Sequence, residues 1–207
     1  MHSIKSLPLF FLSMVLILIS PSLNGAQPSP PNFNYHIHSH SLNLEIRPAE
    51  HYLLAEDRFE IHLKVKEATP FSFLLHPDLK IKRIVNLENG KPLPWTEIPF
   101  SANAIRFDLV LKNIKKFLLL SITYEGKIYD PVVKEKALQF VRGDQTSGLI
   151  SEEGVYLTAS SHWYPDRPDS MASFKVHAKI PEPFRIVTQG ERLSEERKSG
   201  LWVSIWS

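Results

Sequence analysis

Cysteine is absent from all 207 residues, which excludes disulfides, thiolate zinc sites and a lipid-modified cysteine at the start of an exported product. An excess of one charge is missing too. Lys and Arg number 24 against 22 Asp and Glu, for a formal net charge of +2, and the basic residues form no long run, so there is no electrostatic case for a nucleic-acid partner. No histidine is followed by glutamate, which rules out an H-E-x-x-H zinc helix, and no G-x-S-x-G elbow exists to expose a serine nucleophile. Tandem repeats are lacking as well. The length suits one sizeable core rather than two domains.

The only strongly apolar run is Leu7 to Ile19, preceded by Lys5 and followed by Ser20, Pro21, Ser22, Gly25 and Ala26. It is too short to span a bilayer comfortably, since spanning takes about 20 residues. The layout is that of a secretory signal over residues 1–26, cleaved after Gly25 or Ala26, with an uncleaved membrane anchor as the alternative. Export to the periplasm, cell envelope or exterior follows. Residues 27–34 hold three prolines and no apolar period, and read as an extended linker to a domain over residues 35–207.

From Tyr35 onward a period of two prevails. Leu42, Leu44 and Ile46 alternate with polar positions, and after a turn at Pro48 to Glu50 so do Phe59, Ile61, Leu63 and Val65, which predicts two paired strands. Further strands are expected at Phe71 to Leu75, Lys80 to Val85, Ala104 to Leu111 and Phe117 to Tyr124. Asn89-Gly90 marks a tight hairpin. Asp130 to Val141 reads as a short helix or a loop, and Gly143 to Ser147 as a polar loop. Gly154 to Thr158 and Ser173 to Ile180 are strands joined by a corner of Trp163, Tyr164, Pro165 and Asp166, where Pro165 and Pro168 remove backbone donors and Asp166 and Asp169 bond nearby amides. Many short strands with regular turn signals and scarcely any helix predict an all-β, antiparallel β-sandwich.

The order of G-V-Y-L at Gly154 to Leu157, Y-P-D-R-P-D at Tyr164 to Asp169, and a strand ending at Pro181 resembles the N-terminal β-domain of M1-family zinc aminopeptidases. His40 to Leu44, Phe73 to Pro77, Leu79 to Ile81 and Ile122 to Gly126 extend the resemblance over most of the chain after residue 34. It implies a saddle-like, non-catalytic domain that supports a catalytic domain and walls one side of a peptide cleft. Zinc is implied for that other domain, encoded in cis or downstream, with peptide as its substrate. This chain lacks H-E-x-x-H and also G-x-M-E-N; Leu87-Glu88-Asn89-Gly90 is a decoy better read as a turn. It should therefore be inactive alone. Many members lend a glutamine or glutamate to the cleft just before the corner. Here Thr158-Ala159-Ser160-Ser161-His162 stands in that place and nothing is carried over.

Other candidate groups are few. His36, His38 and His40 would share one strand face roughly 6 to 7 Å apart, where neutral imidazoles converge on zinc or copper, or they form a plain exposed face. His162 lines a cleft or satisfies a turn. Asp166 and Asp169 form an acid–base pair or, with Arg167 between them, bond the turn. Trp163 and Tyr164 are a ligand platform or core packing. In Leu201 to Trp206, Leu201, Val203 and Ile205 oppose Trp202 and Trp206, so this strand calls for cover on both sides. That pattern reads as a chain cut short, or as a terminus tucked between sheets. The alternative function is a stand-alone envelope binding or adhesion sandwich; a third is a metal-binding protein built on the histidine strand.

Overall fold

Alternation of apolar and polar residues builds the longest strand, β1 (Tyr35–Arg47), which carries Tyr35, Ile37, Leu42, Leu44 and Ile46 into the core. A 3-10 turn at Pro48–Glu50 returns the chain into β2 (Tyr52–Leu63), paired antiparallel to β1 along its whole length. The computed structural model describes residues 35–63, 70–111, 116–130, 132–134, 144–167 and 171–207. The segments expected to be a signal and a linker, most of the Lys112 to Lys116 turn, and Pro168 and Asp169 lie outside these residues.

The remaining strands are β3 (Phe71–Leu75), β4 (Leu79–Asn86), β5 (Trp95–Ser101), β6 (Ala104–Leu109), β7 (Phe117–Lys127), β8 (Val133–Lys134), β9 (Asp144–Gln145), β10 (Gly148–Ser151), β11 (Gly154–Leu157), β12 (Ser173–Pro181), β13 (Arg192–Lys198) and β14 (Leu201–Trp206). A seven-stranded sheet runs in the order β13-β14-β12-β1-β2-β7-β4. Over one of its faces lie the three-stranded sheet β3-β6-β5 and the hairpin β10-β11. The fold is thus the expected all-β sandwich. Its pairings are antiparallel except that β12 runs parallel to β1, placing His40 beside Phe174 and Leu42 beside Val176.

The two layers meet at an aromatic seam. Phe73 stacks on Phe107 with centroids 5.5 Å apart, Phe59 lies 6.0 Å from Phe71, and Tyr35 meets Phe71 edge-on at 5.7 Å. All five rings are 1% exposed or less. Each such burial contributes about 1.5–3 kcal/mol, so this seam, rather than surface ion pairs at about 0–1 kcal/mol each, fixes how the layers sit.

Some expectations are corrected. Val133–Lys134 is extended and pairs with Asp144–Gln145, so those parts of the anticipated helix and loop are strand; residues 135–143 lie outside the described set. The Asn89-Gly90 turn closes between Asn86 and Lys91, with Gly90 N–H donating to Asn86 O at 2.8 Å, and Gly90 alone of the pair takes positive φ, at 67°. Trp202 and Trp206 turn to the core while Leu201, Val203 and Ile205 stay half-buried on the opposite face. β14 is not an edge; β13, rich in charge and irregular between Arg192 and Ser194, shields it.

Candidate functional site

The corner that orders the sequence also ties the layers together. Thr158 starts a 3-10 turn, Ala159–Ser161, in which Ser161 donates from both N–H and Oγ to Thr158 O, at 3.1 and 2.7 Å. His162 then takes left-handed φ of 48°, which turns the chain and aims its carbonyl at His76 N–H, 2.9 Å away. Its ring Nδ1 lies 3.0 Å from Asp166 Oδ2. Asp166 exchanges two backbone bonds with Leu74 of β3, at 2.8 and 3.0 Å. Arg167, 3% exposed, donates Nη1–H to Ser72 O at 3.2 Å and sits 5.5 Å from the Phe71 ring centre.

These bonds settle several alternatives. The Asp166 carboxylate serves His162 within the turn, and Asp169 lies outside the described residues. Tyr164 packs edge-on against His40 and Phe174, with centroids at 5.3 and 5.2 Å. Burial, with the nearby Asp166 and Asp57 carboxylates, pushes its hydroxyl up to about 12, so it stays protonated at any physiological pH. Trp163 instead lines a depression of about 130 Å³ of mixed polarity together with Val155, Leu157, Arg185 and Ile186. Among the described residues neither His40 nor His162 bonds a serine or threonine hydroxyl; their pairs with aspartate fasten the strand pair and the turn.

The three strand histidines do not stay together. In the β1–β2 register His36 faces His62 and Ile37 faces Ile61, yet Ser39 faces Glu60, which makes His38 the extra residue of a β-bulge. Beyond the bulge the alternation is shifted by one. His40 therefore points into the core, 3% exposed, with Nδ1 2.6 Å from Asp57 Oδ2, while His36 and His38 remain on the open face. There they meet His62. Asp57 is fully buried, which pushes its carboxyl up against the lowering influence of His40. Sequence reasoning missed both His62 and Asp57; a fixed register would have revealed the first, whereas Glu56-Asp57-Arg58 reads as uniformly polar.

No family model matches the chain, and no curated protein sequence does so significantly. Solved structures do match. An M1 zinc metallopeptidase mutant from Deinococcus radiodurans shares 16% identity at a TM-score of 0.59, over 86% of this chain and 40% of its own. The mutant bound to a Tyr-Ser-Ala substrate gives 17% identity, the same TM-score and the same coverage. Native yeast LTA4 hydrolase gives 12% identity and a TM-score of 0.56, over 84% of this chain and 27% of that one. The chain thus has the fold found in the N-terminal part of M1 zinc metallopeptidases and spans well under half of their length.

Proposed function

We propose that the chain is the non-catalytic N-terminal β-domain of an exported M1-like zinc aminopeptidase, which supports a catalytic domain and walls one side of its peptide cleft. One observation carries this reading: 86% of the chain superposes on 40% of metallopeptidases of that family, while its sequence holds no H-E-x-x-H. The residues here do not fit the catalytic metal centre of such an enzyme, so zinc, the general base and the amino-terminus site belong to the other domain. The corner supports the walling role. A cleft wall has to hold its shape, and residues 158–167 are fastened to β3 by backbone bonds, a buried guanidinium and a His–Asp pair.

The test is the coding sequence beyond Ser207, followed by co-expression. The expected result is an H-E-x-x-H segment in the same frame or the next, with zinc-dependent hydrolysis of aminoacyl-naphthylamides by the combined product and none by this chain alone. An unrelated gene there, with a stable monomeric chain, would replace this reading with the stand-alone binding sandwich. Turnover by the isolated chain would overturn both.

A further inference from the structure

We propose that His36, His38 and His62 form a binding site for a transition-metal dication, zinc(II) or copper(II), on the open face of the seven-stranded sheet. Their ligand nitrogens lie within 4.8 Å of one another. Three backbone features bring this about. β1 and β2 are hydrogen-bonded neighbours, and their register sets His36 directly opposite His62. The bulge at His38 turns that side chain toward the same partner, so its ring stacks on His62 with centroids 4.6 Å apart and planes 12° from parallel. His36 meets His62 edge-on at 5.1 Å.

A tetrahedral zinc with Zn–N bonds of about 2.0–2.1 Å requires nitrogens about 3.3 Å apart. The shortfall from 4.8 Å is a matter of side-chain rotation, which the partly exposed rings of His38 and His62 allow. Glu60 Oε1 lies 2.5 Å from His62 Nε2. An ionised Glu60 accepts from Nε2–H, the tautomer that keeps the Nδ1 lone pair for a metal, as in the carboxylate–histidine–metal arrangement that orients many ligating imidazoles. Three imidazoles favour zinc and copper over magnesium and calcium, which prefer oxygen, and copper should bind the tighter of the two. The fourth position is left to water.

The experiment is a titration of the purified chain with zinc and with copper against a chromophoric chelator, with magnesium as the control cation. Saturation at one equivalent is expected, with copper tighter than zinc and no response to magnesium. His38→Ala and His62→Ala should each weaken zinc binding by at least about 10-fold, and Glu60→Gln by less, as loss of an orienting partner does. His177→Ala, on the same face but bonded to Asn43, should change nothing. Copper electron paramagnetic resonance should show nitrogen coupling that diminishes in each ligand variant. His38 is exposed and His62 half-buried, so unchanged melting curves for their variants separate loss of ligand from loss of fold. Absence of saturable binding, or affinity retained in both His38→Ala and His62→Ala, overturns the site.

Discussion

His40 Nδ1 lies 2.6 Å from Asp57 Oδ2, and the two side chains are 2% and 0% exposed. The pair sits where β1 and β2 pack under the corner, with His40 stacked on Phe174 at 4.9 Å. Removing one partner of such a pair leaves a buried polar group without its complement, whereas replacing both with apolar groups of similar volume is often neutral. His40→Phe fits the aromatic surroundings yet strands the carboxylate, and should lose about 3–5 kcal/mol of stability. The double variant His40→Phe/Asp57→Leu should recover most of that loss. Urea unfolding at neutral pH measures both, and a double variant as weak as the single one would contradict this account.

The same aspartate gives the fold a pH dependence with a definite sign. Burial raises the Asp57 carboxyl above its usual 3.8, against His40, so the folded state holds that proton more tightly than the unfolded chain. Its stabilising contribution is complete below pH 3.8 and is lost as pH rises through the raised folded value. The groups that face it are His40, the Ser41 amide, and the Tyr124 and Tyr164 hydroxyls, both tyrosines being shifted upward by burial. Asp57→Asn removes the ionisation while keeping an acceptor for His40. Its stability relative to the wild type should therefore increase as pH is raised from 4 to 7; a difference that stays flat would remove Asp57 as the source.

The hairpin that shields β14 depends on backbone handedness. Ser199 and Gly200 have φ of 53° and 78° between the paired Lys198 and Leu201, the two-residue turn whose twist matches its strands. Left-handed backbone costs a residue with a Cβ about 1–2 kcal/mol. Gly200→Ala should thus lower the melting temperature, by about 2–4 °C per kcal/mol for a chain of this size, and Ser199→Asn should raise it slightly. A thermal melt in which Gly200→Ala is silent would mean that the turn is not formed.

Which of these features was legible depends on how local its cause is. β1, β2 and β7 could be read because an alternating pattern is written along each strand. The corner could be read because Pro165 and Asp166 fix their own backbone. The parallel union of β1 with β12 could not, since Leu42 and Val176 pair across a long stretch of chain and no short segment encodes the choice. Nor could the bulge at His38, which inserts one residue without a glycine to announce it, yet decides that His40 goes to the core and that His62 joins the other two. The Leu201 to Trp206 pattern was right about its two faces: Trp202 and Trp206 pack toward the core, and Leu201, Val203 and Ile205 lie half-buried on the other side.

The stiffness ascribed to the corner has its own test in Gly148. A Cβ there would lie 2.6 Å from Ser161 Cβ and 3.0 Å from Ile128 Cγ2, so Gly148→Ala must push the 3-10 turn away from β10. Overpacking of this kind costs about 1–3 kcal/mol. The displacement is transmitted locally, because Ser161 holds Thr158 O and the next residue, His162, accepts from His76 N–H. Amide exchange should accelerate at Leu74 and His76, whose N–H groups bond Asp166 O and His162 O, and stay slow at Leu42 and Leu44 in the middle of the large sheet. Gly154→Ala, with nothing within 4 Å of the new methyl, is the matched control and should leave all four amides unchanged. If both variants exchange like the wild type, the corner is not fastened through Ser161, and a cleft wall built on that fastening loses its physical basis.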